Sequence, residues 1–243
     1  MSLDLADKKI IITGGSQGLG FAIAATVLSD GADVLLVGRN ADKLADATKR
    51  LEGKGGKVAF HAADISDAEC AARIVDSAQS ELGGIDVLVN NAGVFVWKKA
   101  LDLAAEDFDR TIATNLAAPF YVSQAAARAM VAQGRGGSII NISSIHGKTP
   151  DANVVAHCAS KYGLIGLSKS LANALREHDI RVNAVCPGAI EADSSDRYAT
   201  GPNEKTTQGD IARIVSYLSS DVSRSVTGAA IDIHGNTHTV IQA

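Results

Sequence analysis

The chain alternates short runs of branched apolar residues with longer amphipathic stretches, and this alternation restricts its fold more than any other feature. The apolar runs lack polar alternation, which is typical of parallel strands covered by helices on both faces. Strands joined by helical crossovers build a doubly wound α/β sheet. We predict about seven strands, at residues 9–13, 33–37, 57–61, 86–89, 138–142, 181–186 and 230–233.

Helical patterns fill the intervals between these strands. They lie at residues 18–29, 41–52, 67–82, 101–113, 115–132, 154–177 and 209–219. No linker, repeat or low-complexity segment interrupts the 243 residues, so we predict a single domain over residues 1–243. Ligands of such sheets bind beyond the carboxyl ends of the strands, which directs attention to the strand-to-helix turns.

Charge and cysteine content exclude several classes of protein. The net charge is −4 and no basic block stands out, which argues against nucleic acid as a partner. Cys70, Cys158 and Cys186 are widely spaced and form no CxxC pair, and no His, Asp and Glu cluster has metal-ligand spacing, so we predict no metal. No apolar stretch approaches the ~20 residues of a membrane span, and we expect a soluble cytoplasmic protein.

The turn after the first strand is rich in glycine. Three of its four glycines, Gly14, Gly18 and Gly20, have the spacing G-x3-G-x-G, and a helix begins within the turn. Glycine allows a sharp turn and close approach to a pyrophosphate, and the helix amino terminus favours an anion. This position after a strand predicts a dinucleotide site; the alternative is a purely structural turn.

The second strand ends at Gly38 and Arg39, where dinucleotide sites for NAD usually carry an acid. A guanidinium there instead favours the 2′-phosphate of NADP(H) over NAD(H). Gln17 adds no second positive charge, so the preference is expected to be modest. The alternative is an arginine on a solvated turn.

Four further motifs follow in order along the chain. They are Asn90-Asn91-Ala92-Gly93, Asn141-Ile142-Ser143-Ser144, Pro187-Gly188 and Thr227-Gly228. With the glycine turn, this set resembles the short-chain dehydrogenase/reductase family over nearly the whole chain, from about Leu5 to Val240. The resemblance implies a Rossmann-type sheet, a nicotinamide cofactor, a small-molecule substrate, and a homodimer or homotetramer.

The resemblance also implies roles for matching positions. Asn115 would support a water relay, Ser144 would hydrogen-bond the substrate oxygen, and Lys161 would bind the nicotinamide ribose. Asp64 would meet the adenine. The full set of implied cofactor contacts is Gly14, Ser16, Gln17, Gly18, Leu19, Gly20, Arg39, Asp64, Ile65, Asn91, Ala92, Gly93, Lys161, Pro187, Gly188 and Ile190.

One position departs from the family pattern of Tyr-x-x-x-Lys on a helix. Here His157 stands where the tyrosine is expected, four residues before Lys161. Tyr162 cannot replace it, because positions i and i+4 share a helix face and i+5 does not. Histidine starts from a pKa of ~6.5, and positive neighbours lower it, so we expect a neutral imidazole that accepts a proton better than it donates one.

Three other features bear on the substrate. His146 is a candidate second proton donor or a solvated loop residue, and Trp97 is a candidate wall of the substrate pocket or a packing residue. Cys158 is expected to be a small buried residue. The segment 189–209 is shorter than the family's usual lid and is expected to be mobile, Ala192 replaces a frequent threonine, and His234-Gly235-Asn236 replaces a frequent Asp-Gly-Gly.

These observations favour an NADP(H)-dependent oxidoreductase that interconverts a carbonyl and an alcohol, with catalysis altered by His157. A redox-neutral dehydratase, cyclase or isomerase on the same fold is one alternative. A catalytically impaired NADP-binding or scaffold protein, natural or engineered, is the other.

Overall fold

Among the residues that the structure describes, seven parallel strands form one sheet, in the order 58–62, 33–38, 9–13, 87–90, 137–142, 180–187 and 230–233. The structure, a computed structural model, describes residues 3–191 and 206–234. A separate two-stranded sheet pairs residues 190–191 with residues 206–207, on either side of residues 192–205. The strands are β1 Lys9–Thr13, β2 Asp33–Gly38, β3 Val58–Ala62, β4 Val87–Asn90, β5 Gly137–Ile142, β6 Ile180–Pro187, β7 Ile190–Glu191, β8 Thr206–Thr207 and β9 Ala230–Ile233.

Alternate residues of each central strand enter opposite hydrophobic cores. In β1, Ile10 and Ile12 pack into the core on one face, and Ile11 packs into the core on the other. All three are fully buried. This two-sided burial explains the uninterrupted apolar runs and confirms the predicted doubly wound α/β fold.

Helices cover both faces of the sheet. Helices at residues 18–29, 41–51 and 208–219 contribute to the first core, and helices at residues 70–82, 118–133 and 155–174 contribute to the second. The helices are α1 Gly18–Ser29, α2 Ala41–Leu51, α3 Cys70–Leu82, α4 Ala105–Ile112, α5 Ala118–Gln133, α6 Val155–Ala174 and α7 Gln208–Ser219.

Several predicted helix boundaries were wrong. The patterns at 101–113 and 115–132 predicted a break at residue 114, but α4 continues through a π-helical turn, Ala113–Ala117, into α5. The chain before α4 forms a short 3-10 turn, Ala100–Asp102, and then extends at Leu103 and Ala104. The helix α3 begins three residues later than predicted, and α6 ends at Ala174 before a separate 3-10 turn.

The direction in which successive strands are added to the sheet changes after β3, so that β4 pairs with the free side of β1. β1 pairs with β2 on one side and with β4 on the other, and the chain crosses to opposite faces from this point. The carboxyl ends of β1 and β4 therefore lie side by side at a switch point, where open α/β sheets bind ligands.

Within residues 3–191 and 206–234, no helix is long and apolar enough to cross a membrane. The predictions for Ala192, for residues 193–205 and for Gly235-Asn236 lie outside the described residues.

Candidate functional site

The glycine turn meets the β4 turn at the switch point. Gly14 and Gly18 have φ of +68° and +54°, which favours glycine at both positions. At Gly20 the constraint is close packing, since an added Cβ would lie 2.2 Å from the carbonyl oxygen of Gly14. The side-chain amide of Asn91 donates to the carbonyl oxygen of Thr13 at 2.9 Å and ties the two turns together.

The amino end of α1, next to this turn, has no capping side chain, like those of α3, α4 and α6 and unlike those of α2 and α7. Asn40 caps α2, and Thr207 with Asp210 forms a capping box on α7. Gln17 precedes α1 without a capping side-chain bond, and the first turn of α1 holds no acidic residue. The first N–H groups of α1 are thus left for another acceptor, which fits an anionic pyrophosphate.

The ends of β2 and β3 carry charged groups. Arg39 is exposed, and its charge acts on Asp64. The pKa of Asp64 is lowered chiefly because the backbone and hydroxyl of Ser66 donate to its carboxylate, with Arg39 adding to the effect. Ile65 is buried beside Asp64. Lys43, which the sequence prediction missed, brings its ammonium nitrogen within 3.5 Å of the Gln17 side-chain oxygen.

Asn115 lies in the π-helical turn between α4 and α5 and is fully buried. Its side chain accepts a hydrogen bond from the backbone N–H of Val94 at 2.8 Å and donates to the Val94 carbonyl at 2.9 Å. It also donates to the hydroxyl of Ser160 at 3.2 Å. Asn115 therefore fixes the chain after Gly93 against α6, and the widened turn places it there.

Lys161 lies on α6, and its side chain is buried against the end of β5. Its ammonium nitrogen donates to the carbonyl oxygen of Ile142 at 2.7 Å, and the Ser143 hydroxyl donates to the Lys161 carbonyl at 3.1 Å. Burial lowers the pKa of Lys161 to about 8. The site thus contains a cation that is held in place and easily deprotonated.

His157 lies one helical turn before Lys161 and is also buried. Burial, followed by the charges of Lys161 and His146, lowers the pKa of His157 to about 3, and a hydrogen bond to the backbone of Val94 opposes the shift. Its Nδ1 atom has no hydrogen-bond partner among the described residues. The imidazole is therefore neutral at neutral pH, as the sequence analysis expects.

Ser144 begins a 3-10 turn, Ile145–Gly147, that carries His146 towards His157. The Ser144 hydroxyl oxygen accepts the backbone N–H of His146 at 3.1 Å, and the His146 and His157 rings are 5.9 Å apart. Burial lowers the pKa of His146, and Asp151 opposes that shift. Tyr162 is exposed on α6 and donates to the Lys148 carbonyl, away from His157.

Two aromatic residues follow the β4 turn. The ring of Phe95 lies 4.8 Å from that of His157 in an edge contact, and Trp97 lies 6.2 Å from Phe95. Trp97 therefore contacts Phe95, and Phe95 contacts His157 in the candidate site. The sequence pattern singled out Trp97 but not Phe95. Cys158 is buried, as expected, and its thiol accepts the backbone N–H of Asp151 at 3.4 Å.

The end of β6 closes the other side of the crevice. β6 ends at Pro187, and Gly188 donates its N–H to the Ile233 carbonyl at 2.9 Å. A Cβ at Gly188 would lie 3.1 Å from that of His234. Ile190 packs against the first core.

A cavity of about 300 Å³ lies at the opposite edge of the sheet, where the strands begin. Its charged lining includes two ion pairs, Lys8–Asp221 at 2.8 Å and Arg135–Asp86 at 3.0 Å. None of the predicted site residues lines this cavity. Because dinucleotides bind at the carboxyl edge of such sheets, we place the candidate active site at that edge instead.

The fold and the switch-point turns define a Rossmann-type nucleotide-binding protein. A family profile described as short chain dehydrogenase matches residues 8–202. The chain belongs to the short-chain dehydrogenase/reductase family, and the family named in the sequence analysis is confirmed.

Relatives match along their full length. The chain is 33% identical to the 3-oxoacyl-(acyl-carrier-protein) reductase FabG of Chlamydia pneumoniae, covering 97% of this chain and 98% of that protein. It is 34% identical to the L-rhamnose 1-dehydrogenase (NAD(P)(+)) of Azotobacter vinelandii, covering 98% and 99%. A short-chain type dehydrogenase/reductase from Mycobacterium marinum superposes with a TM-score of 0.90 at 34% identity, covering 97% of both chains.

Proposed function

We propose that this protein is an NADP(H)-dependent oxidoreductase that interconverts a carbonyl and an alcohol on a small organic substrate. The observation that carries the proposal is the enclosed Lys161, held 2.7 Å from the Ile142 carbonyl with His157 one helical turn away. Both lie on α6 at the end of β5, near the β4 turn. Relatives named as reductases and dehydrogenases support the same chemistry.

The glycine turn fits the cofactor. A Cβ at Gly20 would fill the space beside the Gly14 carbonyl, and the amino end of α1 has no capping side chain. Gly14, Gly18 and Gly20 would hold the pyrophosphate. The remaining contacts would come from Ser16, Gln17, Leu19, Ile65, Asn91, Ala92, Gly93, Pro187, Gly188 and Ile190. When bound, the nicotinamide supplies a hydride acceptor or donor.

Four side chains would perform the remaining steps. Ser144 would hydrogen-bond the substrate oxygen, and Lys161 would bind the ribose hydroxyls. Asn115 would hold the Gly93–Val94 segment and support a water near Lys161. In alcohol oxidation, His157 would take the hydroxyl proton as the carbon–hydrogen bond breaks; in reduction, it would return that proton.

The low pKa of His157 determines which of its protonated and neutral forms is present near neutral pH. An imidazole with a pKa of about 3 carries almost no proton at neutral pH. The protonated imidazole that reduction needs is therefore scarce, whereas the neutral imidazole that oxidation needs is abundant. We propose that the chain oxidises alcohols and reduces carbonyls slowly near neutral pH.

Two cations support a preference for NADP(H) over NAD(H). Arg39 is exposed at the end of β2, and Lys43 lies in the first turn of α2 within 3.5 Å of the Gln17 oxygen. Both lie on the side of the glycine turn where a ribose 2′-phosphate would be placed. Lys43 supplies the second positive charge that Gln17 lacks.

A kinetic comparison in both directions tests the proposal. We expect the wild-type chain to reduce NADP⁺ with a panel of small alcohols faster than it oxidises NADPH with the matching carbonyls, each followed by NADPH absorbance. Ser144→Ala would lose most of this activity, and Ser170→Ala, an exposed serine on α6, would keep it. Cofactor binding without turnover in either direction would contradict the proposal.

A redox-neutral isomerase or dehydratase is the second candidate, favoured by the neutral imidazoles of His146 and His157, 5.9 Å apart. A neutral imidazole can abstract a carbon-bound proton. Substrate conversion without net change in NADPH would identify this chemistry.

We further propose that the protein is a single nucleotide-binding domain over residues 1–243, that it forms a homodimer or homotetramer, and that it is cytoplasmic. No nucleic acid, membrane or metal takes part in the proposed reaction.

A further inference from the structure

Four rings stand in a row at the candidate active site. Trp97 and Phe95 are 6.2 Å apart and tilted by 38°, Phe95 and His157 are 4.8 Å apart at 72°, and His157 and His146 are 5.9 Å apart at 79°. The row begins at the surface with Trp97 and passes His157, the proposed proton-transfer group. We call these four residues the ring row.

The fold holds both ends of the segment that carries Phe95 and Trp97. Val94 is fixed by two hydrogen bonds to Asn115, at 2.8 and 2.9 Å. Lys98 donates its N–H to the Asn153 carbonyl at 2.8 Å and bridges to Val154 just before α6. The two rings are therefore presented by a braced segment and not by a free loop.

Phe95 and Trp97 are more exposed than their chemistry favours. The side chain of Phe95 is 51% exposed and that of Trp97 is 39% exposed. Exposed apolar rings beside a polar site commonly mark a ligand surface. The edge contact of Phe95 with buried His157 makes this surface continuous with the proposed site of proton transfer.

The ring row carries no net charge near neutral pH. Burial lowers the pKa of both His146 and His157, so both imidazoles are neutral. Lys98 pairs with Asp107 at 2.7 Å and Lys148 pairs with Asp232. Lys161 is the cation nearest to His157, but its ammonium donates to the Ile142 carbonyl at 2.7 Å and is assigned to the cofactor ribose in the proposed function. A carboxylate or phosphate on the substrate would find little compensation beside these rings.

We infer that the substrate is an uncharged small molecule with a planar, aromatic group attached to the reacting carbinol or carbonyl carbon. The planar group would pack on Phe95 and Trp97, and the oxygen would lie near Ser144 and His157. Offset or edge contacts between rings stabilise such a complex beyond the burial of apolar area. This inference rests on the proposed oxidoreductase function, whose substrate class it specifies.

Two alcohols of equal carbon number test the inference. 1-Phenylethanol has a flat ring, and 1-cyclohexylethanol has a puckered ring of similar size. Trp97 is the only tryptophan of the chain, so intrinsic tryptophan emission reports binding at the ring row without any turnover. We expect 1-phenylethanol to change this emission and to bind roughly 3- to 10-fold more tightly than 1-cyclohexylethanol, with and without NADP⁺.

Matched variants locate the preference. Phe95→Leu would remove the preference for the phenyl compound, and Phe95→Tyr would retain it because a ring remains. Phe108→Leu alters another partly exposed phenylalanine, on α4, and would leave the preference unchanged. Circular dichroism would establish that each variant is folded.

The outcomes separate this inference from the proposed function. Equal affinity for the two alcohols, or a preference that survives Phe95→Leu, would overturn the ring-row inference even if both alcohols were oxidised. A phenyl preference that depends on Phe95 would support it, and the absence of NADP⁺ reduction in that case would contradict only the proposed oxidoreductase function.

Discussion

The ammonium nitrogen of Lys161 lies 2.7 Å from the carbonyl oxygen of Ile142, the last residue of β5. This contact anchors a buried cation one helical turn from His157. Burial lowers the pKa of Lys161 to about 8, and burial, followed by the lysine charge, lowers the pKa of His157. The two groups therefore share one electrostatic environment, and substitution of either has consequences that depend on pH.

The free energy of unfolding of the wild-type chain should rise with pH above about 8, because the buried Lys161 then loses its charge. The unfolded lysine keeps its proton up to a pKa of ~10.4, whereas the folded lysine loses it near pH 8. The unfolded state thus binds more protons in this window, so the free energy of unfolding rises with pH by at most about 1.4 kcal/mol per unit. Urea unfolding from pH 8 to pH 10 would show a flatter profile for Lys161→Met than for wild type.

Lys169→Met is the control for this measurement, since Lys169 is exposed on the same helix. Its profile should follow that of wild type. Identical profiles for Lys161→Met and wild type would contradict the lowered pKa.

His157→Tyr should raise the rate of carbonyl reduction near neutral pH. A tyrosine beside Lys161 has a proton to donate, whereas the wild-type imidazole, with a pKa of about 3, does not. A positioned general acid contributes about 10²-fold or more, and an increase of this order in NADPH oxidation is expected. His178→Tyr, on the 3-10 turn after α6, should have no effect. A folded, NADPH-binding His157→Tyr protein without increased reduction would show that His157 does not occupy the proton-transfer position.

His157 should also make the wild-type chain sensitive to acid. The unfolded histidine gains a proton below a pKa of ~6.5, but the folded one stays neutral until about pH 3. The free energy of unfolding therefore falls as pH drops from about 6.5, by up to about 1.4 kcal/mol per unit. His157→Phe would remove this contribution, and His178→Phe would not. Denaturant unfolding between about pH 4 and pH 7 would reveal the difference in slope.

Much of the fold was predictable from local pattern. Uninterrupted apolar strands, such as Ile10 to Ile12 in β1, report burial on both faces, and burial on both faces requires helices on both sides. The glycine turn was predictable because part of its constraint is local: Gly14 has a φ of +68°, and an added Cβ at Gly20 would lie 2.2 Å from the Gly14 carbonyl oxygen.

Several features of the site depend on contacts between distant segments and left no local signal. The π-helical turn around Asn115 accompanies its bonds to Val94, 21 residues away. Lys43 reaches Gln17 across 26 residues, and Phe95 meets His157 only after the β4 turn folds over α6. Periodicity describes the face of an element, but it does not show which side chain of another element it will meet.

Arg39→Ala should weaken NADPH binding and spare NADH. The guanidinium would make a charge-assisted contact with the 2′-phosphate, and NADH has a hydroxyl there instead. Loss of such a contact typically weakens binding roughly 10-fold or more. Lys43→Ala should act in the same direction with a smaller effect, and Arg213→Ala, exposed on α7, should leave both affinities unchanged. Titration of each cofactor by calorimetry measures the ratio; equal losses for NADPH and NADH would contradict a role in 2′-phosphate recognition.

Gly20→Ala should disrupt the cofactor turn through a single methyl group. The added Cβ would lie 2.2 Å from the Gly14 carbonyl oxygen and 2.6 Å from the Asn91 amide nitrogen, so both turns must shift apart. We expect loss of most of the cofactor affinity and destabilisation by about 1–3 kcal/mol, as for overpacking elsewhere. Thermal unfolding with and without NADPH measures both effects.

Gly166→Ala provides the matched control, because Gly166 lies within α6 and an added Cβ would meet nothing within 4 Å. Alanine is the better helix former, so this variant should bind NADPH normally and gain about 0.5–1 kcal/mol. The same chemical change would then have opposite effects at two helical glycines. If Gly20→Ala bound NADPH as tightly as Gly166→Ala, the close approach of α1 to the Gly14 carbonyl would not be required for cofactor binding.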